Sequence, residues 1–261
     1  MNKNFYPVLH ENKDLSIAVI ERTGSEELIF FIHGLGCAKE FFIDAWSTPV
    51  LEGYSLAAPD LSGFGESSKP PGFSYSMEAH AEVCLKVLKN FPHQKIHIAA
   101  HSMGGAVGLI MAESLGERLS SFINIEGNLI SPDSSMSSLS STLTVEKYHE
   151  HMIRLLADAT APLSKGGIKL WYHYIQKAGS IGLYRSARSL AEWSGSGKLL
   201  EIFKKLICRK IYIHGDANAS MPATKHLEDI PRISIPGSGH FPMNDNSNYF
   251  YQSLEAFLKN E

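Results

Sequence analysis

Residues 96–109 read Ile-His-Ile-Ala-Ala-His-Ser-Met-Gly-Gly-Ala-Val-Gly-Leu. An apolar-rich run of strand type stops at a serine, and glycines and small apolar residues of helical type follow at once. Centred on the serine, Ala100-His101-Ser102-Met103-Gly104 is one residue away from Gly-x-Ser-x-Gly, the spelling of a sharp strand-to-helix turn that displays a serine. The departure is Ala100, a single extra methyl where strand and helix pass close together. Ser102 can serve as helix N-cap and as nucleophile at once, because a helix start also places N–H groups near a developing negative charge.

Working outward, further β-rich runs lie at residues 16–20, 28–32, 54–58, 122–125, 211–213 and 233–235. Several are continuously apolar, as strands covered on both faces should be. Helical spacing separates them. In the segment 74–91, Cys84, Val87, Leu88 and Phe91 fall on one stripe, and in 246–260 Phe250, Leu254, Phe257 and Leu258 do the same after the N-cap candidates Asn246 and Ser247. Alternating strands and helices predict an α/β protein with a mostly parallel central sheet flanked by helices. From 131 to 206 no convincing strand occurs, so a helical insertion is expected there, between core segments 1–130 and 207–261. It opens on the serine-rich run 131–144, expected to be a solvated connector. Helices follow around 145–157, 168–177 and 183–193, with Trp171, Tyr172, Tyr174, Tyr184 and Trp193 as candidates for packing or ligand contact.

Composition narrows the function. A chain of 261 residues with 44% apolar content can bury a sizeable core. Its formal charge of -3 is mixed along the chain, which argues against a nucleic-acid partner. The first twenty residues lack the apolar length of a signal peptide or membrane span, so a cytoplasmic protein is expected. Cys37, Cys84 and Cys208, odd in number and widely spaced, read as reduced thiols rather than disulfide or zinc ligands. His149 and His151 are two apart and make a poor metal pair on a helix. No cofactor or metal is expected.

Chemistry in open α/β sheets gathers at the carboxyl ends of strands. The strands lead there into His33-Gly34-Leu35-Gly36, into Asp60-Leu61-Ser62-Gly63-Phe64-Gly65-Glu66-Ser67, into the Ser102 turn, and into Gly237-Ser238-Gly239-His240-Phe241-Pro242. In this order the loops closely resemble those of the α/β-hydrolase superfamily, over nearly the whole chain. The resemblance implies the α/β-hydrolase fold with a helical cap at 131–206. It also implies Ser102 as nucleophile, His240 as its base, and backbone N–H groups of Leu35 and Met103 as an oxyanion hole. Aligned on Gly215 and Pro222, the family's usual acid position holds Asn218, which offers no charge to an imidazolium. Two carboxylates remain. Glu126, at the end of an earlier strand where some relatives carry their acid, is favoured over Asp216, which can instead cap a turn. Either preserves the order Ser, acid, His.

Two other glycine-rich stretches are dismissed. Ser194-Gly195-Ser196-Gly197-Lys198 ends like a phosphate loop, but Glu192 and Leu199 replace the glycine and the magnesium-binding hydroxyl, leaving a glycine-rich hinge. Gly63-Phe64-Gly65 lacks the rest of a dinucleotide fingerprint. The expectation is a cofactor-independent serine hydrolase acting on a small ester-like substrate, a serine carboxylesterase in type, with Met136, Met152 and Met221 as pocket walls. A carbon–carbon, amide or lactone hydrolase uses the same residues, and a noncatalytic ligand-binding relative is the remaining alternative. The serine excludes relatives with an aspartate nucleophile.

Overall fold

The computed structural model describes residues 1–161 and 166–259, so residues 162–165 of the expected insertion and 260–261 of the expected core lie outside it. The strands are β1 (Asn2–His10), β2 (Lys13–Arg22), β3 (Glu27–Ile32), β4 (Ser55–Pro59), β5 (Lys95–His101), β6 (Leu119–Ile125), β7 (Arg209–Gly215) and β8 (Arg232–Ile235). The helices are α1 (Met77–Leu88), α2 (Met103–Leu115), α3 (Ser135–Ser138), α4 (Val145–Thr160), α5 (Gly167–Ile175), α6 (Ser180–Gly195), α7 (Lys198–Lys205), α8 (Pro242–Asp245) and α9 (Ser247–Lys259).

The eight strands form one sheet in the order β1-β2-β4-β3-β5-β6-β7-β8. β2 runs antiparallel to both β1 and β4, and every other pairing is parallel. Side chains alternate between two apolar layers. Phe30, Ile98 and Phe122 face one with Val87 and Phe91, while Phe31, Ala99 and Ile123 face the other with Phe250 and Leu254. The expected α1 stripe is buried throughout, each large apolar side chain contributing about 1.5–3 kcal/mol relative to exposure. Ser76 caps α1 by accepting from Ala79 N at 3.1 Å, and Asn246 caps α9 through Tyr249 N at 3.4 Å.

Three local features differ from the sequence expectation. β1 was not anticipated because it is an exposed edge strand: Phe5 and Leu9 are 51% and 64% accessible, so no apolar alternation marks it. Its partner follows through the two-residue turn Glu11-Asn12, both at positive φ (49° and 54°), as hairpin twist demands. The serine-rich run is not a plain connector but short helical turns, in which Ser134, Ser138, Ser140 and Ser141 donate to carbonyls three or four residues back. The glycine-rich stretch 194–198 joins two helices, the second of which was not anticipated: α6 ends at Gly195 and Gly197, at φ 75°, opens α7. Among the described residues of 131–206, all regular structure is helical.

Candidate active site

β5 delivers Ser102 to the carboxyl edge of the sheet at φ 52° and ψ -121°, a conformation costing a non-glycine residue about 1–3 kcal/mol. Surrounding bonds hold it there: Ser102 N donates to Ile125 O at 2.9 Å and Gly105 N donates to Ser102 O at 2.8 Å. Gly104 is required by close approach, since a Cβ on it would lie 2.4 Å from Ile32 O. Ala100 is fully buried in the ladder, opposite Ile32 on β3 and Asn124 on β6, where its methyl is accommodated.

The loop after β8 brings His240 to the same edge. Its Nδ1 donates to Glu126 Oε2 at 3.3 Å, which leaves the Nε2 lone pair toward the cavity, without a hydrogen bond among the described residues. Glu126 follows β6 at φ 50°, and its side chain is fully buried. Its Oε1 accepts from Gly215 N at 2.8 Å and its Oε2 also accepts from Asn218 Nδ2 at 3.1 Å. Asn218 thus faces the same carboxylate that faces His240. Asp216 is directed elsewhere: it accepts from Gly237 N at 2.9 Å and Ser238 N at 3.1 Å. Those two N–H groups hold its carboxyl below the usual aspartate range. The structure brings Ser102, His240 and Glu126 together at this edge and leaves Asp216 to brace the turn before His240.

The Ser102 hydroxyl donates to Asn128 Oδ1 at 3.5 Å. The Asn128 amide is oriented by its other end, where Nδ2 donates to Asp133 O at 2.6 Å. Sequence reading passed over Asn128, and also over His101. The His101 ring is fully buried, its Nε2–H donates to the His240 carbonyl at 2.8 Å, and its centroid lies 4.8 Å from that of His240. Burial, reinforced by the neighbouring His240, pushes the His101 pKa well below the usual histidine value, so the ring is neutral. Its place beside Ser102 in the turn was the available signal.

Met103 follows Ser102 directly in the chain, and Leu35 lines the same cavity as Ser102. Met103 N–H is one of the unpaired donors of a helix start, and Leu35 N–H makes no hydrogen bond among the described residues. The loop carrying Leu35 is held by His33, whose Nε2 accepts from Leu61 N at 2.9 Å and whose Nδ1–H therefore donates to Gly34 O at 2.8 Å.

A cavity of about 470 Å³ opens over these groups. Ser102, His240 and Leu35 line it, and so do Met136, Met152, Met221 and Trp171. Tyr172, Tyr174, Tyr184 and Trp193 do not line it; Trp193 Nε1 instead donates to Glu78 Oε1 at 2.9 Å. Cys37 lines the cavity and Cys84 is buried in the core, and all three cysteines are free. His149 ties α4 to α5 through Ile175 O at 2.9 Å. Among the described residues no group of three His, Cys, Asp or Glu could hold a metal ion, and no helix is long and apolar enough to cross a membrane.

Similarity to known proteins agrees with this architecture. Probable lysophospholipase BODYGUARD 4 of Arabidopsis thaliana is 28% identical over 179 residues, 64% of this chain and 39% of that protein. Lipase 1 of Psychrobacter immobilis is 40% identical over 87 residues, 33% of this chain and 27% of the lipase. The alignments thus span well under half the length of these curated relatives. A thermophilic esterase from Thermogutta terrifontis superposes with TM-score 0.78 at 22% identity, covering 99% of this chain and 98% of the esterase. An N-acyl homoserine lactonase superposes with TM-score 0.79 at 17% identity, covering 100% of this chain and 98% of the lactonase. The alpha/beta hydrolase fold family matches residues 27–165, just over half of the chain, and with the sheet order and the Ser102 turn this makes the chain a member of that family.

Proposed function

We propose that the chain is a serine hydrolase that cleaves a carboxylic ester or related acyl bond of a small substrate. The observation that carries this reading is the convergence of a strained, cavity-facing Ser102 with a His240 whose Nδ1 is engaged by buried Glu126 at 3.3 Å. Serine is a weak nucleophile at neutral pH and needs a base held in one tautomer. In the reaction Ser102 Oγ exchanges Asn128 for His240 Nε2, a shift in keeping with the long contacts of substrate-free sites. Oγ then attacks the carbonyl carbon while Nε2 takes its proton. Glu126 stabilises the imidazolium, and the N–H groups of Leu35 and Met103 receive the oxyanion. Collapse expels the alcohol, protonated by His240, and leaves an acyl-Ser102 ester. Water activated by His240 releases the acid and restores the serine.

The helices of 131–206 act as a cap that supplies the mostly apolar cavity walls. About 470 Å³ falls within the range of small-molecule sites, roughly 300–1,000 Å³. The esterase and lipase names among the relatives support an ester before an amide, and a lactone is the cyclic case of the same bond. A fluorophosphonate probe, with a panel of short and long acyl esters, amides and lactones, tests the reading. Folded wild type is expected to be labelled and Ser102→Ala not, with turnover falling on the order of 10⁶-fold. Absence of labelling in the wild type, or labelling that survives Ser102→Ala, refutes it.

A further inference from the structure

The Leu35 N–H and the Gly34 carbonyl belong to one peptide plane, so whatever holds the carbonyl aims the N–H the opposite way. Gly34 O accepts from His33 Nδ1 at 2.8 Å and from Cys37 N at 3.2 Å, both within the core loop. The next plane carries the Leu35 carbonyl, and its main partner comes from outside the loop. Trp171 Nε1 on α5 donates to Leu35 O at 2.8 Å, with Cys37 Sγ a weaker second donor at 3.7 Å. Leu35 is therefore clamped on both sides, by its own loop through the preceding peptide and by the helical segment through the following one.

The seat of α5 on this loop is close. Gly36 has φ 70°, and a Cβ on it would lie 2.9 Å from Trp171 Nε1 and 3.0 Å from Ile175 Cδ1. Only glycine allows the helix to approach so near in that backbone conformation. The Trp171 ring also packs on Phe241, centroids 5.5 Å apart, directly after His240 in the chain. One side chain of the inserted helices therefore touches the loop after β3 and the loop after β8 together.

We propose that Trp171 is a positioning residue that fixes the Leu35–Gly36 peptide and, through the shared Leu35 Cα, steadies the preceding peptide whose N–H receives the oxyanion, so that docking of α5 tightens the oxyanion hole. The proposal rests on the serine-hydrolase reading above. Without the indole N–H, the Leu35–Gly36 peptide gains freedom to turn, Leu35 is held from one side alone, and its N–H in the preceding peptide is less well preorganised for the developing charge. Removing an oxyanion donor outright costs on the order of 10²–10³ in kcat, so loosening one is expected to cost less.

The test compares wild type with Trp171→Phe, which keeps a ring against Phe241 and deletes the donor. Trp193→Phe, outside the cavity, is the control, and a thermal melt establishes folding. If Trp171→Phe does not fold, Trp171→Leu, which likewise carries no donor, has the same expectation. On a p-nitrophenyl ester that the wild type hydrolyses, kcat should fall roughly 10- to 50-fold with KM within about threefold. Phenylboronic acid, whose serine adduct places an oxygen in the same hole, should lose affinity by a similar factor. Amide hydrogen exchange across residues 35–37 should quicken. An unchanged kcat with raised KM makes Trp171 a cavity wall and overturns the proposal, as does boronate affinity within twofold of wild type. A wild type that neither hydrolyses esters nor takes a fluorophosphonate overturns the hydrolase reading and this inference together, whereas an active, labelled wild type with an indifferent Trp171→Phe overturns this inference alone.

Discussion

The turns after β6 and β7 lie side by side and each carries a carboxylate, yet the two acids live in different surroundings. Glu126 is buried and accepts from three residues, Gly215, Asn218 and His240, so its position is set by groups from two separate segments, the end of β7 with its turn and the loop after β8. Asp216 lies on the surface and accepts from two successive backbone N–H groups, Gly237 and Ser238. The first arrangement orients an imidazole; the second shapes a turn. A carboxylate at the end of a strand is thus no indication of its use, and the donors that meet it decide.

The largest expected effect breaks the pair apart functionally. Glu126→Gln should lower kcat by about 10³- to 10⁴-fold on any ester the wild type turns over, because the amide neither stabilises the imidazolium nor enforces the tautomer. A loss under tenfold, measured at matched folding, would remove Glu126 from the mechanism. The second experiment moves the acid. Asn218 Nδ2 is 3.1 Å from Glu126 Oε2, so Asn218→Asp placed on the Glu126→Gln background should recover roughly 10- to 100-fold of the lost kcat. No recovery would mean that position 218 cannot reach His240. The third, Asn218→Ala, deletes one donor to the buried carboxylate and should reduce kcat about fivefold to tenfold, with KM little changed.

Asp216→Asn should leave turnover within about threefold of wild type and act on acid stability instead. Because the folded state holds the Asp216 carboxyl below its ordinary value of 3.8, the unfolded chain binds the proton first as pH falls. Its contribution is complete above that value and disappears as pH drops through the lower folded value. Urea melts of wild type and Asp216→Asn should therefore differ at neutral pH and begin to converge as pH falls below about 4. A constant difference across that window would show that the Gly237 and Ser238 contacts are not charge-dependent.

A buried histidine contrasts the sheet with the helices laid over it. His80 on α1 is joined to Ser186 on α6 at 2.9 Å, and burial lowers its pKa to about 3. Here too the unfolded chain takes the proton first, so stability present above about pH 6.5 erodes as pH falls toward 3. His80→Gln should flatten the acid limb of a melt between those values, and an identical limb would place the acid sensitivity elsewhere.

Much of the site was legible because it is written locally. The Ser102 turn needs a strand, a displayed serine and a close-packed glycine within five residues, and the 2.4 Å at which a Cβ on Gly104 would meet Ile32 O shows why that spelling is strict. The stripes of α1 and α9 follow from helical period alone. β1 escaped because its outward Phe5 and Leu9 are as apolar as its inward Tyr6 and Val8, so no alternation marks a face, and the serine-rich run misled because its hydroxyls satisfy their own backbone rather than solvent. Asn128 and His101 were not legible as site residues, nor was the bond of Trp171 to Leu35, since these contacts join residues 26, 139 and 136 positions apart in sequence.

By itself, then, the sequence determined the alternating α/β architecture, the serine at its strained turn and the histidine in the last loop, because periodicity and turn chemistry are properties of neighbouring residues. Only the tertiary structure decided which carboxylate meets His240 and which helix meets Leu35. Those contacts depend on the register of β6 against β7, where Ile125 lies opposite Ile213, and on the seat of α5 over Gly36. Both are set by long-range packing, which carries no local signature in the chain.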